Sequence, residues 1–389
     1  MRILATADIH LGSPIRSVAM RSPELGSRLK AANRDAFVRL VDLAIEQSAD
    51  VLAIAGDIFD NSYPELRHRA FFLRQVARAA KSGIEVVLIR GNHDALLGPE
   101  WGDDLGPGVH VLTKARPTVE IKGTAFHGLS FESSHEKQSL LPEYPAPRPG
   151  AANVGLMHTS LDGAEGHDPY APCSEADLIG HGYDLWCLGH IHAPFVRRSD
   201  ASLVVMPGIP QPRHFGERRG GQVALIDLGA EPSLTLHSVA VLRFEDATIS
   251  LDGAATSSEA LAALEKAFTE VETAEMDTAL RLSVETEGFN REELESLAAE
   301  LLEDRERVFL DRLKVFPPRD AGQDKADDLL RLMRAEIASP AFDHASRQIL
   351  DDLRTALPRE AREALADGEL DDIVQDAIRD VLVSVRAAG

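Results

Sequence analysis

Five short apolar runs in this sequence each end on histidine, aspartate or asparagine, and this recurrence constrains the fold more than any other feature. Apolar runs of this length, bounded by polar residues, predict buried strands. The polar residues at their ends mark the points where the strands leave a sheet. The five runs are RILATADIH, VLAIAGDIFD, VVLIRGNHD, NVGLMH and LWCLGHIH.

Helical patterns separate the first three runs. The segments LKAANRDAFVRLVDLAIEQSA and RHRAFFLRQVARAAKSG carry apolar residues at helical spacing, and Gly83 is a plausible helix C-cap. This alternation predicts βαβ units around a buried sheet. After residue 108 the chain reads mostly as strands with little helix between them. Together these patterns predict an α/β (α+β) fold with two packed sheets and helices outside.

The chain of 389 residues divides into three predicted parts. Residues 1–243 hold the five runs. Residues 244–318 alternate strands and helices and predict a small α/β domain, in which Asn290 and Glu293 have capping-box spacing. Residues 319–389 predict amphipathic helices, and such helices must bury their apolar faces on their own domain or on a partner.

Charge does not exclude a nucleic-acid partner. The net charge is −22, but residues 244–389 carry −18 of it and residues 1–243 only −4. The only cysteines, Cys173 and Cys187, form no CxxC metal motif. No segment resembles a signal peptide or a membrane span. We therefore expect a soluble cytoplasmic protein without a membrane partner.

The strand-end residues have the chemistry of metal ligands. Imidazole, carboxylate and carboxamide groups suit manganese, iron, zinc or magnesium. Their number exceeds the four of a closed zinc site and fits two divalent metal ions sharing a carboxylate. Two ions about 3.5–4 Å apart can clamp both oxygens of a phosphoryl displacement. The seven predicted ligands are Asp8, His10, Asp57, Asn92, His158, His190 and His192.

Two residues beside the ligands are predicted to be catalytic. His93 directly follows Asn92, so we expect it to face the substrate as a general acid or as a stabiliser of transition-state charge. Asp94 is predicted to orient the imidazole of His93. A single histidine at a strand end is usually a capping or surface residue. Five such segments in one chain favour the metal site.

These segments, in this order, resemble the calcineurin-like metallophosphoesterase superfamily. GDIFDNSYP, GNHD, GHIH and VVMPGIPQPRHFGE are similar to the SbcD branch of DNA double-strand-break repair nucleases, bacterial relatives of the Mre-type nuclease. The resemblance implies a four-layer-type β-sandwich flanked by helices over residues 1–243 and a capping domain over residues 244–318. It also implies that residues 319–389 bind an SMC-like (SbcC-type) coiled-coil ATPase subunit, and that the protein forms a homodimer.

The resemblance further divides the ligands between two ions, with manganese as the usual metal. One ion would be held by Asp8, His10 and His192, the other by Asn92, His158 and His190, with Asp57 as the bridge. Asp60 stands where some family members carry a second histidine, and we expect it to have a supporting role.

Basic residues around PGIPQPRHFGE are predicted to contact DNA, because arginine pairs with phosphate irrespective of sequence. A solvated basic hairpin is the alternative. The predicted DNA contacts are Arg197, Arg198, Arg213, His214, Phe215, Arg218 and Arg219.

The leading functional hypothesis is a manganese-dependent DNA nuclease that processes ends in double-strand-break repair and recombination. The balance of exonuclease and endonuclease activity stays open. One alternative is a phosphoesterase of small phosphomonoesters or diesters. The other is a structural subunit of an ATPase complex.

Overall fold

The computed structural model describes residues 1–13, 23–61, 63–97, 105–162, 170–229, 232–273 and 275–317, with stretches of one to three residues between 332 and 381. The chain divides into two compact units. The first unit comprises Met1–Ser13, Lys30–Pro212 and Arg219–Val241. The second comprises Pro14–Leu29, Arg213–Arg218 and Leu242–Gly389. No helix among the described residues is long and apolar enough to cross a membrane.

The first unit contains two six-stranded sheets. The first sheet has the order β12-β11-β1-β2-β3-β4, and its strands are β1 Arg2–Thr6, β2 Val51–Ala55, β3 Glu85–Ile89, β4 Val109–Val111, β11 Gln222–Asp227 and β12 Ser233–Ser238. The second has the order β5-β6-β7-β8-β10-β9, with β5 Thr118–Ile121, β6 Thr124–Gly128, β7 Ala152–His158, β8 Leu185–Gly189, β9 Phe195–Arg198 and β10 Leu203–Met206.

Period-two alternation places the two sheets face to face. Ile3 and Ala5 of β1 join the core between the sheets, together with Leu156 of β7 and Cys187 of β8. Leu4 points to the opposite face and joins the core beneath the helices. A strand that is buried on both faces must be apolar throughout, which explains the continuous runs in the sequence.

Helices cover the outer faces of the two sheets. The helices α1 Pro23–Glu46 and α2 Leu66–Lys81 contribute Phe37 and Phe72, which stack at 5.6 Å above the first sheet. The helix α3 Glu175–His181 covers the second sheet, and its Leu178 carbonyl oxygen accepts the indole N–H of Trp186 at 3.0 Å. The layers are therefore helix, sheet, sheet and helix, which confirms the predicted fold class.

The second unit contains a three-stranded parallel sheet of order β13-β14-β15, with strands Leu242–Ser250, Asp277–Glu285 and Val308–Phe316. The helices α4 Ser257–Val271 and α5 Arg291–Glu303 connect these strands, and each begins with a capping box. Leu264, Leu280 and Leu294 lie in the core between the helices and the sheet.

The sequence predicted alternating strands and helices over residues 244–318, and β13, α4, β14, α5 and β15 follow one another in this alternation. In contrast, most of the predicted helical region 319–389 lies outside the described residues. Those that are described between 332 and 350 are helical except Ser339.

Candidate metal centre

The seven predicted ligands follow the carboxyl ends of five parallel strands, and they meet at one edge of the first unit. The strands β1, β2 and β3 run parallel in the first sheet, and β7 and β8 run parallel in the second. Because β2 faces β7 and β8 across the sandwich, the strand ends of both sheets converge. Ligand sites in open α/β sheets lie at this kind of edge.

The backbone at this edge is held in an unusual conformation. Four of the predicted ligands have positive φ angles, namely Asp8 at 53°, His10 at 48°, Asp57 at 51° and His190 at 97°. Left-handed backbone costs a non-glycine residue of order 1 kcal/mol or more, and it persists where the surrounding structure fixes it. Such strain concentrates at functional sites.

His158 and Asp57 lie at the centre of the cluster. Asp57 Oδ2 is 3.3 Å from His158 Nε2, and both side chains are buried. His158 Nδ1 is 2.9 Å from the Ala55 carbonyl oxygen and donates to it, which leaves Nε2 as a lone-pair donor. The carboxamide oxygen of Asn92 lies 2.9 Å from the same Nε2.

A second group of ligands forms around His10. Its Nε2 is 3.2 Å from Nε2 of His192 and 3.8 Å from Asp57 Oδ2. Buried Asp8 accepts the backbone N–H of His190 at 3.0 Å. The ligand atoms of Asp8, His10 and His192 all lie within 4.8 Å of one another, as do those of Asp8, Asp57 and His158.

These donors fit a pair of divalent cations. Two imidazole nitrogens that face each other at 3.2 Å, beside buried carboxylates, concentrate lone pairs at one place. A metal ion satisfies several lone pairs at once, whereas a single proton satisfies two. Oxygen and imidazole nitrogen donors in this number suit manganese, iron, zinc or magnesium. The identity of these donor atoms does not distinguish among the four metals.

Close approach of the strands to the site requires glycine. A Cβ atom on Gly91 would collide with Oδ1 of Asp57 and lie 2.8 Å from its Cγ. A Cβ atom on Gly56 would lie 2.6 Å from Nδ1 of His158, and one on Gly189 would collide with the Ala55 carbonyl oxygen. The glycines in GD, GNHD and GHIH therefore let the ligands reach one another.

The charges of the site depend on one another. Burial raises the pKa of Asp57, but the cationic forms of His158, His93 and His10 outweigh burial and hold that pKa well below its usual value. Burial lowers the pKa of His158, but the charges of Asp57 and Asp8 raise it to about 9. The unligated site therefore holds protons that a bound cation must displace.

His93 lies at the rim of the site, but Asp94 does not orient it. The ring of His93 is 4.8 Å from that of His10, and His93 Nδ1 is 2.8 Å from the backbone carbonyl oxygen of Asp60. Asp94 instead accepts the backbone N–H groups of Gly91, at 2.6 Å, and Ile58, at 2.8 Å. Burial, together with the charge of Asp57, raises the pKa of Asp94 to about 6. Asp94 thus joins the two ligand loops, and the prediction that it orients His93 is wrong.

Two further residues lie beside the ligands, and the sequence singled out only one of them, Asp60. Asp60 Oδ1 lies 3.2 Å from Nδ1 of His10, so this residue contacts His10 with its carboxylate and His93 with its carbonyl. Its position three residues after Asp57 was the available clue. The ring of Tyr170 lies 5.2 Å from that of His190, and no sequence pattern links these residues.

The predicted DNA contacts fall into two groups. Arg197 and Arg198 are exposed on the edge strand β9, and Arg219 is exposed as well. Arg213 is 9% exposed and Phe215 3% exposed. Arg213 pairs with buried Glu217 at 2.7 Å, so its charge is already neutralised.

The prediction that Arg213 and Phe215 contact DNA therefore does not fit their burial. His214 lies 3.3 Å from Glu217, and Arg218 pairs with Asp246. The whole segment Arg213–Arg218 belongs to the second unit.

The fold and the ligand geometry agree with a family comparison. Residues 1–194 match the model of the calcineurin-like phosphoesterases. Residues 1–194 of this chain therefore form a calcineurin-like metallophosphoesterase domain.

Relatives of known sequence place the chain within that family. It is 31% identical over 224 residues to the uncharacterized metallophosphoesterase YhaO of Bacillus subtilis, covering 56% of this chain and 55% of that protein. It is 27% identical over 236 residues to the DNA double-strand break repair protein Mre11 of Methanopyrus kandleri, covering 56% of this chain and 50% of that protein. The chain thus spans about half the length of the curated relatives it matches.

A structural comparison gives a more distant likeness. TT1561 of Thermus thermophilus covers 61% of this chain and 98% of its own length, with 18% identity and a TM-score of 0.40.

Proposed function

We propose that the protein is a manganese-dependent DNA nuclease whose first unit hydrolyses phosphodiesters at a binuclear metal site. The observation that carries this proposal is the convergence of seven ligand side chains from five strands, with Asp57 between the two groups. Asp8, His10 and His192 would hold one ion, and Asn92, His158 and His190 the other. Divalent ions at such a site neutralise phosphoryl charge and acidify water.

The residues of the chain itself supply position and proton transfer. The Ala55 carbonyl fixes the ring of His158, and the Asp60 carbonyl fixes that of His93. Because the Asp60 carbonyl holds Nδ1 of His93, we assign contact with the substrate to the other ring nitrogen, Nε2. His93 would protonate the leaving oxygen or stabilise the charge of the transition state there. Asp94 keeps the Asp57 and Asn92 loops in register through its two backbone bonds.

The relation to Mre11 proteins supports DNA as the substrate. The exposed Arg197, Arg198 and Arg219 supply the type of side chain that pairs with phosphates independently of sequence. From the resemblance of the sequence motifs to the SbcD branch, we further propose that residues 319–389 bind an SMC-like coiled-coil ATPase and that the protein forms a homodimer.

Hydrolysis of small phosphomonoesters or diesters is the second candidate. It is favoured by the similarity to YhaO, which is named only as a metallophosphoesterase. The same metal site would serve either substrate.

A substrate comparison with the full chain separates these functions. Manganese-dependent hydrolysis of linear double-stranded DNA, single-stranded DNA and bis(p-nitrophenyl) phosphate is measured for the wild type, His93→Ala and His110→Ala. We expect DNA cleavage that falls about 10²–10⁴-fold in His93→Ala. His110 pairs with Glu85 at the start of β3, at the far end of the strand from the site, so His110→Ala is the matched control.

Each outcome of this assay favours or excludes one of the proposed functions. Turnover of the small diester without cleavage of either DNA would replace the nuclease by the small-substrate phosphoesterase. An inactive wild type on all three substrates would favour the structural subunit. Equal losses in His93→Ala and His110→Ala would refute the role of His93.

A further inference from the structure

The segment PRHFGE follows the predicted metal motifs in the sequence, and its aromatic residue, Phe215, is buried in the second unit. The Phe215 ring lies 4.9 Å from that of Phe244 on β13, in an edge-to-face arrangement. The guanidinium of Arg281 on β14 lies 3.8 Å from the centre of the same ring. Asp311 holds Arg281 at 2.8 Å, and both of these side chains are buried.

These contacts lie on the face of the sheet opposite to its helices. Leu280 and Leu282 point toward helices α4 and α5, so Arg281 between them points away. Phe215 therefore fills a place between an aromatic ring and a buried, paired cation. A cation over an aromatic face in a desolvated setting is worth more than the same contact at a surface.

The chain on either side of this segment is tied to a metal ligand inside the first unit. The N–H of Ile209 donates to the carbonyl oxygen of His192 at 3.0 Å. The N–H of Gly221 donates to the carbonyl oxygen of Ile209 at 2.7 Å. The N–H groups of Val239 and Ala240 donate to the carbonyl oxygen of Gly221, at 3.0 and 3.3 Å. We call these backbone bonds the His192 relay.

Within residues 207–242, the chain passes between the first and the second unit next to residues of the His192 relay. The chain enters that unit after Pro212 and returns at Arg219, between Ile209 and Gly221. It enters again at Leu242, two residues after Ala240. The relay is tightly built, because a Cβ atom on Gly208 would collide with the carbonyl oxygen of His192.

We propose that Phe215 is a positioning residue for His192. By anchoring the segment Arg213–Arg218 in the second unit, Phe215 holds the loop whose base supports the backbone of this ligand. Loss of this anchor would loosen the backbone that supports His192, because both ends of the anchored segment adjoin the His192 relay. This inference rests on the proposed metal-binding function, since it assigns His192 to a metal.

Two variants of the full chain test the inference. Phe215→Ala removes the anchor, and Leu264→Ala is the matched control, because it truncates a fully buried side chain of the second unit on the helix side of the sheet. Manganese affinity is measured by isothermal titration calorimetry. Hydrogen exchange of the metal-free proteins is followed in peptides that cover Ile209 and Gly221 but not Phe215.

We expect Phe215→Ala to bind manganese about tenfold more weakly, which is the smallest loss of metal affinity typical when a group that supports a metal ligand is removed. We also expect faster exchange of the Ile209 and Gly221 amides in Phe215→Ala but not in Leu264→Ala. Unchanged affinity, unchanged exchange, or equal changes in both variants would overturn the inference. A wild type that binds no manganese would instead overturn the proposed function, so the two failures are distinguishable.

Discussion

Replacing Gly91 by alanine tests whether the position of Asp57 governs the site. Gly91 is the first residue of GNHD, and its φ is not in the left-handed region, so alanine meets no backbone penalty there. The added methyl group meets Asp57 instead. It would collide with Oδ1 and lie 2.8 Å from both the Cγ and the backbone N of that residue. The variant therefore perturbs Asp57, both at its proposed bridging carboxylate and at its backbone.

The expected magnitude follows from the crowding. Adding a methyl group to a well-packed interior costs typically about 1–3 kcal/mol of stability. Relief requires Asp57 to shift by roughly 1 Å, and a misplacement of this size can cost about 10²-fold in rate. We expect Gly91→Ala to lower the rate of diester hydrolysis about 10²-fold and to weaken manganese binding. The free energy of unfolding should fall by about 1–3 kcal/mol.

The control for this variant is Gly180→Ala. Gly180 lies in helix α3, its φ is also outside the left-handed region, and nothing lies within 4 Å of the added methyl group. Alanine in a helix is up to about 1 kcal/mol more stable than glycine, so this variant should be active and no less stable than the wild type. Manganese affinity by calorimetry, the free energy of unfolding in urea and the rate of diester hydrolysis are measured for the wild type, Gly91→Ala and Gly180→Ala. Wild-type manganese affinity in Gly91→Ala would refute the placement of Asp57.

Three further predictions concern protonation, thiols and a buried ion pair. Because burial lowers the pKa of His158 but nearby carboxylates raise it to about 9, the metal must displace a proton below that pH. Manganese affinity should therefore fall as pH falls below 9, and calorimetry in buffers of different ionisation enthalpy should detect proton release; a pH-independent affinity would contradict this. Burial raises the pKa of Cys173 to about 11 and that of Cys187 to about 12, so Ellman's reagent at pH 8 should label neither thiol until the protein unfolds. Arg213→Ala should lower the free energy of unfolding by about 3–5 kcal/mol, because Glu217 loses its buried partner; a loss of DNA affinity at unchanged stability would show that Arg213 contacts DNA.

The sequence was sufficient for the parts of the site that depend on local pattern. An apolar run followed by a ligand residue determines both the strand and the position of the ligand at its carboxyl end. This rule placed His158 and Asp57 correctly at strand ends. Capping boxes such as Thr256 with Glu259 likewise mark the helix starts of the second unit.

The remaining features depend on contacts between distant parts of the chain. Strand β11 pairs with β1, so Leu225 lies beside Leu4, and no local pattern specifies this pairing. The roles of Asp60 and Asp94 depend on how two loops meet. Phe215 looked exposed because it lies among basic residues, but its partner Arg281 is 66 positions away in the sequence.

Electron paramagnetic resonance of the manganese-loaded protein tests the central claim of two neighbouring ions most directly. The wild type should take up two equivalents and show the spectrum of an exchange-coupled pair. Asp57→Asn, which lacks the proposed bridge, should not show this coupling. A wild-type spectrum of isolated manganese ions only, at any loading, would contradict a binuclear site.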